Sequence, residues 1–195
     1  MPRLTLSPLL IMTLLAGCSA TSTDQPGSDK PIPIDELVDA LGLENHVEGG
    51  YFRRTYESGH RPMIETKGGK RFLMTSIYYL LTESSPIGHF HLNKSDILHY
   101  HHKGDPIRYY LIQKDGTFET VILGQDVAAG QRLQLHVPGG VWKASELLQG
   151  THGFGLISEA VSPGFDYEDM TLGTKAQLTD QFPEHASLFD ELTRK

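Results

Sequence analysis

Cysteine is almost missing. Cys18 is the single one among 195 residues, so no disulfide can close within the chain. Basic residues are outnumbered, with 17 Lys and Arg against 24 Asp and Glu and a formal net charge of −7, and they form no stripe or cluster. That disfavours nucleic-acid binding, which needs a positive surface to neutralise phosphates. There is no internal repeat, no glycine-rich phosphate-binding motif and no Gly-x-Ser-x-Gly elbow, so nucleotide-binding and serine-hydrolase readings have no footing. Long apolar runs are also scarce. The stretch from Leu4 to Ala16, interrupted by Pro8, is shorter than the roughly 20 residues that a permanent membrane-spanning helix requires.

Arg3 precedes that stretch and Leu15-Ala16-Gly17-Cys18 ends it. The layout is that of a signal peptide, and its last four residues resemble a bacterial lipobox. The resemblance implies removal of residues 1–17, lipidation of Cys18 and anchoring to a membrane in the bacterial cell envelope. Ser19, rather than Asp, in the next position points to the periplasmic face of the outer membrane. Several acyl chains hold more firmly than one. Lipidation would also consume the only thiol and leave the domain without a Cys-ligated zinc site. Residues 18–33 are rich in Ser, Thr, Asp, Gly and Pro and read as the anchor and a flexible tether.

Residues 34–195 suffice for one domain with a core. Ile34, Leu37, Val38 and Leu41 follow helical spacing, and Gly42 is placed to end the helix. From Tyr51 to Ser162 the chain runs in short segments of Tyr, Ile, Val, Leu and Thr punctuated by Gly, Pro and Asp, which predicts an all-β domain. Strands are expected at 50–56, 72–82, 87–92, 97–102, 107–113, 117–123, 131–137, 141–145 and 153–162. So many antiparallel strands must close into a sandwich or barrel to cover their apolar face. Thr174 and Gln177 form a capping box for a helix, and Pro183 suits the start of a last one carrying Leu188, Phe189 and Leu192.

Histidines concentrate between Gly88 and Pro106: His89, His91, His99, His101 and His102 are five of the ten in the chain. Strand alternation predicts that His89 and His91 share one face, as do His99 and His101, so that four imidazoles enter one cavity and His102 faces out. Unpaired buried imidazoles are costly, so the cluster points to a pocket for a polar ligand. His46, His60, His152 and His185 lie outside any motif and read as surface residues.

The segment His89-Phe90-His91 with Asp96 and Gly104, followed by Gly130 and Pro138-Gly139-Gly140-Val141-Trp142-Lys143-Ala144, resembles the two motifs of the cupin superfamily. With Glu48-Gly49-Gly50-Tyr51-Phe52-Arg53-Arg54-Thr55-Tyr56, Thr75 to Leu81, Lys94-Ser95-Asp96, Gly104-Asp105-Pro106 and Pro163-Gly164-Phe165-Asp166-Tyr167, the chain is similar to the RmlC-like cupins of cupin family five over about residues 34–192. The resemblance implies a double-stranded β-helix, or jelly roll, with a short N-terminal helix and one or two C-terminal helices, commonly a homodimer. A cupin metal site uses both histidines of the first motif, a glutamate and a histidine of the second. Here Asp96 or Ile97 takes the glutamate's place, depending on register, and Lys143 the last histidine's. A protonated lysine only donates and repels a cation. No cofactor is therefore expected; a divalent metal, if bound, would fall to His89, His91 and His101.

Three readings follow. The first is a metal-independent sugar epimerase- or isomerase-like protein acting on a small polar, carbohydrate-like ligand, with His91 or His99 as the base, since a histidine can accept and release a proton near neutrality. Asp96 would be its partner, and Arg53 and Lys143 would neutralise an anionic group. Tyr78 or Tyr79, Tyr109 or Tyr110, Trp142, Glu159, His89 and His101 are candidate lining residues. The second is a non-catalytic ligand-binding or interaction protein. The third is a metal-dependent dioxygenase or isomerase.

Overall fold

The computed structural model describes residues 32–195; the expected signal peptide, the expected lipidation site at Cys18 and nearly all of the expected tether lie outside the described residues. Helix α1 (Ile34–Leu41) is amphipathic and ends at Gly42, whose left-handed conformation (φ 59°) returns its N–H to the Val38 and Asp39 carbonyls. Leu37 docks it, with Leu43, on Leu80 and Phe154.

Thirteen strands follow: β1 (Glu44–Asn45), β2 (Tyr51–Glu57), β3 (Ile64–Thr66), β4 (Gly69–Arg71), β5 (Thr75–Thr82), β6 (Ile87–Asn93), β7 (Asp96–Gly104), β8 (Ile107–Ile112), β9 (Phe118–Leu123), β10 (Gln134–Val137), β11 (Trp142–Leu147), β12 (Phe154–Ser162) and β13 (Met170–Leu172). They form a six-stranded sheet in the order β1-β2-β5-β12-β7-β10 and a five-stranded sheet in the order β13-β6-β11-β8-β9, with β3-β4 as a separate hairpin. From β5 onward the chain passes repeatedly between the two sheets, and this makes the expected jelly roll. Alternation does the rest. Ile107, Tyr109 and Leu111 point inward from β8, while Arg108 and Tyr110 turn out to Glu146. Leu81, Val121, Leu135, Val141 and Ile157 complete the inner core from both sheets.

The five-stranded sheet is buried on its outer side too. Phe90, Ile112, Trp142 and Ala144 pack there against Leu178 of helix α2 (Lys175–Gln181), Phe182 just after it, and Phe189 and Leu192 of helix α3 (Ala186–Leu192). Thr174 caps α2 by accepting from the Gln177 N–H at 3.2 Å. Pro183 opens a 3₁₀ turn, and α3 starts at Ala186.

The expected strand at 72–82 begins only at Thr75, after the β3-β4 hairpin, whose last residue is Arg71. Its buried Nε donates to Asp169 at 2.6 Å, and Lys94 Nζ donates to the other Asp169 oxygen at 3.1 Å. The Phe165 N–H donates to Thr75 Oγ1 at 2.9 Å. These bonds hold residues 163–169 across one end of the barrel.

Candidate functional site

The site depends on a β-bulge. Across the β6–β11 pairing Lys143 lies opposite His91 and Ser145 opposite Gly88, so Ala144 alone faces both His89 and Phe90. One extra residue reverses the parity of the strand. His91 and Gly88 point into the barrel, whereas Phe90 joins the outer core and His89 is left half-buried beside Leu192 and Arg194. The expectation that His89 and His91 share a face is thereby corrected.

Inside, two carboxylates meet two imidazoles and one ammonium. His91 Nε2 lies 3.3 Å from Glu48 Oε1, and His99 Nδ1 lies 3.1 Å from Glu159 Oε1. Lys143 Nζ is 3.3 Å from His99 Nε2 and 3.8 Å from Glu159 Oε1. An ammonium can only donate, so His99 accepts at Nε2 and donates from Nδ1 to Glu159. Tyr109 Oη adds a contact to that Nδ1 at 3.2 Å, and Tyr79 Oη donates to the Gly49 carbonyl at 2.9 Å. All these side chains are buried.

Glu48 comes from the β1–β2 loop, and its position is set by two features. Gly49 (φ 101°) packs so close to β6 that a Cβ there would sit 2.1 Å from the Ile87 carbonyl. The Glu48 carbonyl accepts from the His89 N–H at 2.6 Å, at the bulge itself. Glu48 also approaches His46 Nδ1 at 3.4 Å, and the His46 side chain is only 5% exposed, which corrects the surface reading of that residue.

Charge is distributed unevenly. Burial acts to raise both carboxyls, but His91, His46 and Lys143 bring Glu48 below its ordinary value. Lys143 and His99 likewise hold Glu159 well below its own. Burial lowers His91 to about 4, against the pull of Glu48, and Lys143 adds to the lowering. His99 is lowered by burial and by Lys143. Burial and the two carboxylates push Tyr79 and Tyr109 up. At neutrality the centre holds ionised Glu48 and Glu159 and uncharged imidazoles.

A cavity of about 330 Å³ opens above it, between β2, β12 and residues 165–167, with Glu48 and Glu159 among its lining. The structure brings His91, His99, Tyr79, Tyr109, Lys143 and Glu159 together and places the other candidates elsewhere. Arg53 lies on the outer face with its guanidinium 6.0 Å over the Tyr78 ring, and Tyr78 is outside with it; Arg54 lines the cavity instead. Trp142 is packed under the C-terminal helices. Asp96 is exposed, accepts from the Gly139 N–H at 2.8 Å and lies 3.5 Å from His136 Nε2, so it braces the second motif's loop and reaches neither His91 nor His99. His101 Nε2 turns to the Asp105 carbonyl at 3.2 Å. Glu48 and His46 carry no histidine-motif signal; the trace of Glu48 in the sequence is the Gly-Gly pair after it.

The metal ligand set that the resemblance implies does not assemble. His89 is outside, His101 is engaged elsewhere, and Lys143 brings an ammonium to His99. Among the described residues no three His, Cys, Asp or Glu side chains converge as a metal ion needs.

Comparison with known proteins agrees with this architecture. The family model described as Cupin superfamily (DUF985) matches residues 35–173. An uncharacterized protein of Saccharomyces cerevisiae is 41% identical over 158 residues, 75% of this chain and 78% of that protein. A hypothetical protein from Leishmania major superposes with a TM-score of 0.78 at 32% identity, covering 84% of this chain and 100% of the other. A protein from Shewanella oneidensis gives 0.76 at 36% identity, covering 84% and 98%. The jelly roll and the sequence match both lead to the same place: the chain belongs to the cupin superfamily (DUF985).

Proposed function

We propose that the chain binds a small polar, carbohydrate-like ligand in the cavity above Glu48 and Glu159 and moves a proton on it without a metal, as an epimerase or isomerase does. The supporting observation is the Glu48–His91 pair. His91 Nδ1 faces the His89 carbonyl at 2.7 Å, and a carbonyl only accepts, so Nδ1 carries the hydrogen. Nε2 therefore turns a lone pair toward Glu48 Oε1 across 3.3 Å. The resting pair has a carboxylate facing a lone pair. A proton taken from the ligand by Glu48 lands between them as a hydrogen bond, and the same proton can be returned. Glu48 is then the catalytic base and His91 a positioning residue that stabilises the protonated acid; this revises the expected roles of His91, His99 and Asp96. Glu159, kept ionised by Lys143 and His99, orients the ligand.

Deuterium wash-in tests the reading. Wild-type protein in D₂O with a panel of keto sugars and amino sugars is expected to exchange a carbon-bound hydrogen, Glu48→Gln to lose that exchange, and chelators to leave it unchanged. Ligand binding without any exchange would make the chain a binding protein instead, and activity restored by added metal after chelation would favour the metal-dependent reading.

We also propose that lipidated Cys18 holds the domain at the bacterial envelope, on the strength of the lipobox-like Leu15 to Cys18. Cys18→Ala should abolish incorporation of labelled fatty acid and release the protein from the membrane fraction.

A further inference from the structure

The cavity above the buried centre is acidic. Glu44, Glu48, Glu159 and Asp166 line it, against one guanidinium, that of Arg54. Both nearby cations are already engaged. Arg54 Nη1 lies 3.6 Å from Glu57 Oε2 while its Nη2 donates to the Phe165 carbonyl at 3.3 Å, and Lys143 is taken up by His99 and Glu159. An anionic ligand would meet carboxylates with no spare cation to pair with, in a partly enclosed space where Coulomb repulsion is poorly screened. The expected anion-neutralising pair is thus unsuited to that task, since Arg53 lies outside and Lys143 is occupied.

A second observation points to what the cavity takes. Glu159 is nine-tenths buried and gives Oε1 to His99 and Lys143, while Oε2 has no partner among the described residues. Glu159 lines the cavity, so Oε2 is the carboxylate oxygen left open to a donor there, preferably a charged one. Aromatic rings of Phe52, Phe165 and Tyr167 form part of the wall, and their faces attract cations. The negative potential extends across the mouth: the Tyr167 phenol is raised by burial and then by Glu48 and Glu44.

We propose that the ligand is a small organic cation, a protonated amine bearing hydroxyl groups, whose ammonium sits against Glu159 Oε2 and whose body lies among the aromatic rings. This rests on the proton-transfer reading of the same site and names its substrate class. A volume of about 330 Å³ suits a ligand of monosaccharide size. A bare divalent ion does not fit in its place, because the donors do not converge.

The test is saturation-transfer NMR on the full domain in EDTA, with glucosamine, glucose and glucuronate as size-matched hexoses of positive, zero and negative charge and short amino alcohols alongside. Glucosamine and the amino alcohols are expected to bind about tenfold more tightly than glucose, glucuronate to give no signal, and amine binding to weaken as salt is raised. Glu159→Gln should weaken amine binding about tenfold or more; Asp166→Asn, at the mouth and clear of the buried centre, should weaken it severalfold in a folded protein. Preferential binding of glucuronate or glucose, the absence of any amine signal, or amine binding that requires a metal overturns the proposal. If glucose binds as well as glucosamine while deuterium wash-in proceeds, the charge assignment fails and the proton-transfer reading stands. If amines bind without wash-in to any of them, the reverse holds.

Discussion

Lys143 Nζ lies 3.3 Å from His99 Nε2, and this contact sets the tautomer of His99. It assigns the hydrogen of His99 to Nδ1, hence the donation to Glu159 Oε1 at 3.1 Å, and it places a positive charge beneath two carboxylates. The lysine stands where the family's second motif carries a histidine, so a covalently held cation occupies the centre.

Removing that cation should be costly. Lys143→Met leaves Glu159 buried without its main counter-charge, and breaking a buried pair from one side typically costs about 3 to 5 kcal/mol. Urea unfolding checks this, and the double variant Lys143→Met with Glu159→Gln should recover part of the loss through their coupling. A loss below about 1 kcal/mol for the single variant would mean that the pair contributes little.

Stability should fall on acidification in a defined window. His91 titrates at about 4 in the folded chain against 6.5 as its ordinary value. Between those values the unfolded chain binds a proton that the folded chain does not, so stability drops as pH falls from 6.5 toward 4, on the order of 3 kcal/mol from this group. Glu48 and Glu159, depressed below the ordinary 4.5, contribute stability above that value and lose it at lower pH. Urea midpoints across this range measure the slope, and His91→Gln should flatten its upper part. A flat wild-type profile from 6.5 to 4 would refute the assignment.

The bulge separates two histidines that look equivalent. His89→Ala and Asp96→Ala should keep deuterium wash-in within about twofold, the second costing about 0.5 to 1.5 kcal/mol for the lost bond to Gly139. His91→Ala should remove most of the exchange. Equal losses in the His89 and His91 variants would show that both imidazoles reach the ligand.

Gly88 tests the packing around the centre. A Cβ there would lie 2.4 Å from Ser145 Oγ and 2.6 Å from Tyr79 Oη. Gly88→Ala should therefore destabilise by about 1 to 3 kcal/mol through overpacking, measured as a lower thermal midpoint by circular dichroism. An unchanged midpoint would place Tyr79 Oη elsewhere.

Local chemistry was enough for much of the fold. Helical spacing from Ile34 to Leu41 with Gly42 behind it, alternation along Ile107–Ile112 and the Thr174 cap all act over a few residues, and each appears where the residue pattern puts it. The β3-β4 hairpin escaped notice because it is held by Arg71 and Asp169, which are far apart in the chain.

The candidate site was legible only as an inventory. Histidines, Lys143 and Glu159 could be read from the residues as chemistry in waiting, because residue type alone decides what can donate, accept or titrate. Which of them meet was decided by tertiary structure. A strand's side chains change face every residue, so the single extra residue opposite Ala144 sends His89 out and keeps His91 in. Glu48 reaches His91 only because a glycine loop is laid against β6. Composition specifies the groups; strand register and loop packing specify their partners, and acid–base behaviour follows from the partners.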